Sequence, residues 1–151
     1  MYASSWGKVS DNLMLGSSID APMMAGAGAT RLVDLRNEGR PPKYGFIEVD
    51  WEPIEDLIPN QDHLILKAGR HVDKLIGDGE IVGIYCQAGV SRTAAVAIVY
   101  LMLNGDNLED ANAKVRAARP SALPALSLWR SLERLEPQIA EERAAADAAA
   151  S

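Results

Sequence analysis

Residues 81–93 read Ile81-Val82-Gly83-Ile84-Tyr85-Cys86-Gln87-Ala88-Gly89-Val90-Ser91-Arg92-Thr93, and this order decides the fold. A buried-type apolar run ends on the chain's only cysteine, turns through a glycine-containing loop, and meets an arginine that opens a second apolar stretch. The pattern predicts a strand, a tight loop and a helix. A loop feeding a helix N-terminus gathers unpaired backbone N–H groups at one spot, and the helix dipole adds positive potential there. An anion such as phosphate is therefore expected in the loop, cradled by residues Gln87, Ala88, Gly89, Val90 and Ser91. The same field favours the thiolate form of Cys86, the nucleophilic one. Arg92, with five residues between it and the cysteine, can turn its planar fork over the loop and hold two phosphoryl oxygens at once. Thr93 places a hydroxyl near the sulfur, suited to steadying a departing thiolate.

Cys-x5-Arg-Thr between a strand and a helix resembles the signature of the cysteine-dependent protein tyrosine phosphatase superfamily. Cys86 to Thr93 most resembles its small dual-specificity branch. The segment Ser10-Asp11-Asn12-Leu13-Met14-Leu15-Gly16 resembles that branch's opening, Tyr100-Leu101-Met102 its post-loop helix, and Arg119-Pro120 with Pro124 its closing segment. The resemblance spans roughly residues 8 to 136 and implies an α/β fold with a central, mostly parallel sheet of four to five strands flanked by helices. It also implies a phosphatase acting through a phosphocysteine; no cofactor is expected, and His63 and His71, with no second ligand type at metal spacing, give no metal site. Two positions depart from the family pattern: Tyr85 stands where His usually precedes the cysteine, and Ala125 where Asn often follows the proline.

The remainder of the chain bounds these expectations. A length of 151 residues, 48% of them hydrophobic and 24% charged, suits one ordinary domain with a sizeable core. We expect residues 1–136 to form it and the alanine-rich residues 137–151 to be a frayed extension or tail. A formal charge of −6 argues against nucleic acid or anionic membranes as partners. A single cysteine excludes an internal disulfide, and no apolar run has the character of a leader or a membrane span, so a soluble, cytoplasmic, reducing location is expected. A monomer is the expected state, with a phosphorylated protein or peptide as substrate.

Upstream of the signature, Lys8–Val9 and Leu13–Leu15 read as paired strands around a turn, and Pro22 opens a short helix closed by Gly26 and Gly28. Arg31 to Leu35 and Gly45 to Asp50 read as two further strands, joined by the polar loop Arg36 to Lys43 with its three cations. If these strands run parallel with residues 81–85, that loop, Asp50 and Cys86 emerge at one edge of the sheet. Asn60 to Ile76 has helical spacing, and His63 and His71 upon it are read as exposed. Thr93 to Asn104 predicts a buried helix. Further helices follow after Asn107 and from Leu126 to Leu135. Arg116 and Arg119 are read as surface residues.

The resemblance also calls for an aspartic general acid some thirty residues before the cysteine. Asp50, thirty-six residues before Cys86, is preferred because it ends a predicted strand and precedes Trp51; Asp56, thirty before it, is the alternative, and Asp62 is read as opening the next helix. No segment resembles the one that deepens the pocket in tyrosine-specific relatives, so phosphotyrosine is expected as substrate, with phosphoserine and phosphothreonine also admitted. Other readings stay open: a phosphate-recognition module with weak catalysis, or a phosphatase for phosphoinositides, which the neutral Gln87 and Val90 disfavour. Sulfur transfer and arsenate reduction fit less well, for want of a shorter loop and of further cysteines.

Overall fold

A computed structural model of the chain describes residues 6–55 and 58–151. Five strands form one sheet in the order β1-β2-β5-β3-β4: β1 Gly7–Ser10, β2 Leu13–Ser17, β3 Arg31–Arg36, β4 Glu48–Ile54 and β5 Val82–Cys86. β1 runs antiparallel to β2, and the other pairs are parallel. Alternate side chains point to opposite faces of a strand, and the core divides accordingly. Leu13, Leu15, Val33, Leu35, Val82, Ile84 and Cys86 face the larger cluster, built with the helices α2 Asp62–Gly77, α3 Arg92–Leu103, α4 Leu108–Ala118 and α5 Leu126–Ala150. Met14, Leu32 and Tyr85 face a smaller one beneath α1 Ala21–Gly26. The chain leaves β2 for one face and β5 for the other, and the two strands are neighbours. Their carboxyl ends thus frame the crevice where open α/β sheets bind ligands.

The mostly parallel α/β architecture is the one the signature implied, with two local corrections. The fourth strand was expected over Gly45 to Asp50 and instead runs Glu48–Ile54, past Trp51 and through Pro53. β4 is the sheet edge, where a proline's missing N–H removes no ladder bond. Register then places Asp50 opposite Val33, which is opposite Ile84, two residues short of Cys86. Asp50 lies in mid-strand, roughly 7 Å below the edge.

The second correction concerns the C-terminus. α5 continues through Pro137 to Ala150. Ile139 is buried in the core, and Glu142 accepts a 2.6 Å hydrogen bond from Arg70 on α2. The stretch after Pro137 has more to dock than its alanines suggested.

Candidate active site

Cys86 ends β5 and is only 2% exposed; Thr93, in the first turn of α3, donates its hydroxyl to the Cys86 sulfur at 3.0 Å. A hydroxyl donating to sulfur stabilises negative charge there. Between them, the loop is fastened from outside by its carbonyl oxygens. Ser18 donates its backbone N–H and its hydroxyl to the Gln87 carbonyl, both at 3.3 Å. Arg119 donates from Nη2 to the Ala88 carbonyl at 3.4 Å and from Nη1 to the Gly89 carbonyl at 2.5 Å. Leu123 donates its N–H to the Val90 carbonyl at 2.9 Å. In a planar trans peptide each carbonyl points opposite to the next residue's N–H. Four carbonyls tied outward therefore turn the N–H groups of Ala88, Gly89, Val90 and Ser91 inward. Gly89 makes the turn possible with φ of 67°, and a Cβ there would collide with the Gly16 carbonyl. The result is a concave nest of donors beside a sulfur, at the N-terminus of a twelve-residue helix.

Arg119 was expected at the surface; it is 4% exposed and braces the back of the loop. It also donates to Ser121 Oγ at 2.8 Å and lies 3.9 Å from the fully buried carboxylate of Asp20. Asp20 in turn accepts from the Ser17 N–H at 2.9 Å and hydroxyl at 3.0 Å, which ties the end of β2 to the same cluster. Arg116 is exposed, as expected.

Arg92 opens α3, and its side chain is almost fully buried. Its guanidinium is gripped from the β3–β4 connection: Nη1 donates to Glu38 Oε1 at 2.5 Å and Nη2 to Glu38 Oε2 at 2.9 Å. Nη1 also donates to Asn37 Oδ1 at 3.2 Å and to the Ile54 carbonyl at 3.1 Å. The hydrogen bond from Arg92 holds the Glu38 carboxyl well below its usual range, at about 2. Glu38 and Asn37 are site residues that sequence reasoning missed. They lay inside a polar loop whose visible feature was its three cations, and no spacing rule ties a loop carboxylate to an arginine 54 residues away.

Tyr85, on the opposite face of β5 from Cys86, is fully buried against Met14, Ala21, Met24 and Leu32. Burial, with the Asp34 carboxylate nearby, raises its hydroxyl pKa far above the ordinary phenol value. Arg36 lies over its ring, 5.4 Å from the centroid. The same arginine donates to the buried Asp34 at 2.8 Å and to Gln87 Oε1 at 3.2 Å, so the Gln87 side chain is oriented from this network. A neutral aromatic thus occupies the position before the cysteine. At the other departure, the Ala125 N–H donates to Ser91 Oγ at 2.8 Å, a brace supplied by backbone.

Asp50, the preferred acid, is not brought to this loop. Its carboxylate accepts from Arg31 Nη1 at 3.0 Å and pairs with His71 Nε2 at 2.5 Å, back along the sheet. His71, expected to be exposed, is half-buried by that contact, whereas His63 is exposed. Asp56 lies outside the described residues. Its neighbours Glu55 and Ile58 line, with Asn37, Glu38 and Arg92, a hollow of about 500 Å³. A larger hollow, about 730 Å³, lies beside Arg31, Phe46, Asp50 and Glu80, and Cys86 lines neither of the two. Trp51 donates its indole N–H to the Arg36 carbonyl at 2.7 Å, which fixes the start of the loop that carries Glu38. Among the described residues no three His, Cys, Asp or Glu side chains gather where they could hold a metal ion. No helix among them is long and apolar enough to cross a membrane.

The model of the dual specificity phosphatase catalytic domain matches residues 16–138. Dual specificity phosphatase 28 of Mus musculus is 31% identical over 138 residues, covering 85% of this chain and 82% of its own. Dual specificity protein phosphatase 22 of Xenopus tropicalis is 31% identical over 134 residues, covering 83% and 62%. The crystal structure of human DUSP28 superposes with a TM-score of 0.81 at 26% identity, over 91% of this chain and 97% of that one. With a cysteine and an arginine at the two ends of one loop between strand and helix, and with these relatives along most of its length, the chain belongs to the dual specificity phosphatase catalytic-domain family, a branch of the cysteine-dependent protein phosphatases.

Proposed function

We propose that the protein hydrolyses phosphomonoesters of protein tyrosine, and of serine and threonine, through a phosphocysteine at Cys86. The observation that carries this reading is the outward fastening of the loop carbonyls beside the Thr93–Cys86 hydrogen bond. The Cys86 thiolate attacks phosphorus and forms the S–P bond as the P–O bond to the leaving group breaks. The inward N–H groups of residues 88–91 and the Arg92 guanidinium stabilise the equatorial oxygens, whose charge grows toward the transition state. A carboxylic acid protonates the departing oxygen. In the second step its carboxylate takes a proton from water, which attacks phosphorus, and the S–P bond breaks to return the thiolate, steadied by the Thr93 hydroxyl.

We assign the acid to Asp56. Asp50 is committed to Arg31 and His71, whereas Glu55 and Ile58, on either side of Asp56, share a hollow with Arg92. A cytoplasmic, reducing location suits a single thiol that has no internal disulfide partner.

The test is metal-free hydrolysis of a small aryl phosphate against pH by the wild type, Cys86→Ser, Asp50→Ala and Asp56→Ala, with acid-quenched samples inspected for phosphate on Cys86. Turnover that disappears in Cys86→Ser and loses the basic limb of its pH profile in Asp56→Ala is expected. An inactive wild type that still binds phosphopeptide would make the chain a recognition module instead.

A further inference from the structure

Four of the seven large apolar side chains exposed among the described residues stand on the segments that fasten or line the phosphate loop: Ile19 (63% exposed), Ile58 (44%), Leu123 (59%) and Leu126 (69%). Ile19 follows Ser18, which donates to the Gln87 carbonyl. Leu123 donates its own N–H to the Val90 carbonyl, and Leu126 follows Ala125, which donates to Ser91 Oγ. Ile58 lines the hollow that contains Arg92. These segments come from three separate parts of the chain, so local sequence does not explain their convergence. Single exposed apolar residues are ordinary, but several gathered around one mouth mark an interaction surface. Together these four side chains form a rim that a substrate seated in the loop would meet.

We infer that the rim is a specificity surface, selecting phosphopeptides whose residues flanking the phosphorylated side chain are large and apolar. The inference rests on the phosphatase reading above and names its substrate class. The charges support it. Arg36 is already paired with Asp34, Arg92 with Glu38, and Arg119 lies beside Asp20, so these cations offer little to an acidic peptide. Arg40, lining the shallow hollow beside Gln87, gives one acidic group a partner, against a net charge of −6 that opposes it. Apolar flanks instead lose water against Ile19, Ile58, Leu123 and Leu126, and the Glu38 and Glu55 carboxylates that share the hollow with Ile58 oppose acidic flanks.

The test compares kcat/KM for one phosphotyrosyl peptide with leucine and isoleucine flanks, the same peptide with aspartate and glutamate flanks, and phosphatidylcholine vesicles carrying a phosphoinositide. A small aryl phosphate serves as the reference. The wild type is expected to prefer the apolar peptide by about tenfold, within the range a hydrophobic subsite supplies. Ile19→Ser and Leu126→Ser, at exposed positions that tolerate substitution, are expected to lower the peptide-to-aryl-phosphate ratio about threefold each. Equal rates on the two peptides with intact aryl phosphate turnover overturn the rim proposal alone, as does a preference that survives both substitutions. Faster hydrolysis of the vesicle lipid than of either peptide also overturns it, making the apolar rim a membrane surface. Absence of aryl phosphate turnover in the wild type overturns the phosphatase reading and this one with it.

Discussion

Arg119→Met separates what the back of the loop does for stability from what it does for chemistry. Methionine retains much of the bulk and removes the fork that holds the Ala88 and Gly89 carbonyls. It also deprives the Asp20 carboxylate, which is fully buried, of the cation 3.9 Å away. Removing one partner of a buried pair typically costs about 3–5 kcal/mol, most of it for the charge left behind. A 151-residue domain carries on the order of 10 kcal/mol of stability, so the variant is expected to remain folded with a clearly lower urea midpoint. The double variant Asp20→Asn/Arg119→Met removes the stranded charge and should recover about 2 kcal/mol. Activity should follow a different course. With the two carbonyls released, the N–H groups of Gly89 and Val90 are no longer held inward, and kcat for an aryl phosphate should fall between about tenfold and a hundredfold, less than the loss of an oxyanion donor outright. That fall should persist in the double variant. If the double variant recovers kcat together with stability, or if Arg119→Met keeps wild-type kcat, Arg119 is merely a core cation and the fastening argument fails.

The other expectations can be checked with the same assays. Glu38→Ala should lower kcat about tenfold by removing the carboxylate that holds Nη2 and leaving the Arg92 guanidinium held through Nη1 by Asn37 and the Ile54 carbonyl, and Glu38→Gln should recover part of it; a rise in kcat/KM would mean that Glu38 competes with substrate instead. Because the folded Glu38 pKa is depressed to about 2, its grip is complete above the ordinary carboxyl range and is lost only as pH falls through about 2. A decline in rate between pH 6 and 4 should therefore be the same in Glu38→Gln. Gly89→Ala should abolish turnover, since φ of 67° and the Gly16 carbonyl both exclude a side chain; measurable activity would show that the loop can re-form elsewhere. Asp62 has its pKa lowered to about 2, chiefly by the hydrogen bond from Arg134 and then by Ser131. Its contribution is present above about pH 3.8 and fades as pH falls toward 2, so Asp62→Asn should weaken the acid dependence of stability in that window, measured by urea midpoints. Asp50→Asn should leave the pH–rate profile intact while lowering stability through Arg31 and His71.

The fold and the centre of the site were legible because their determinants are local. The run from Ile81 to Thr93 contains strand, loop and helix start in consecutive residues, and chain direction alone sets where Cys86 emerges. The Glu38–Arg92 pair and the Asp20–Arg119 cluster were not legible, because each joins groups that only the sheet order brings together. Asp50 shows the same limit from the other side. Its place at the end of a predicted strand depended on where β4 stops, and an edge strand that accepts Pro53 continues four residues past it. A strand boundary shifted by that much exchanges a carboxylate at the mouth for one paired along the sheet. Ile139 reversed the expectation for the C-terminus in a similar way: a helix of alanines has little to bury, but a single isoleucine in register with the core and a Glu142–Arg70 pair hold it against α2.

The outward carbonyls offer a physical reason why the departure at Tyr85 is tolerable. A residue before the cysteine could orient the loop through its side chain, but here Tyr85 faces the opposite side of the sheet and acts through Arg36, which reaches Gln87. The loop is held from four directions by Ser18, Arg119, Leu123 and Ala125, three of them through backbone N–H groups. Orientation supplied by backbone does not depend on side-chain identity at those points, so Tyr85→His should change kcat by less than Arg119→Met does. The opposite order would place control of the loop in the residue before the cysteine and leave the fastenings as packing.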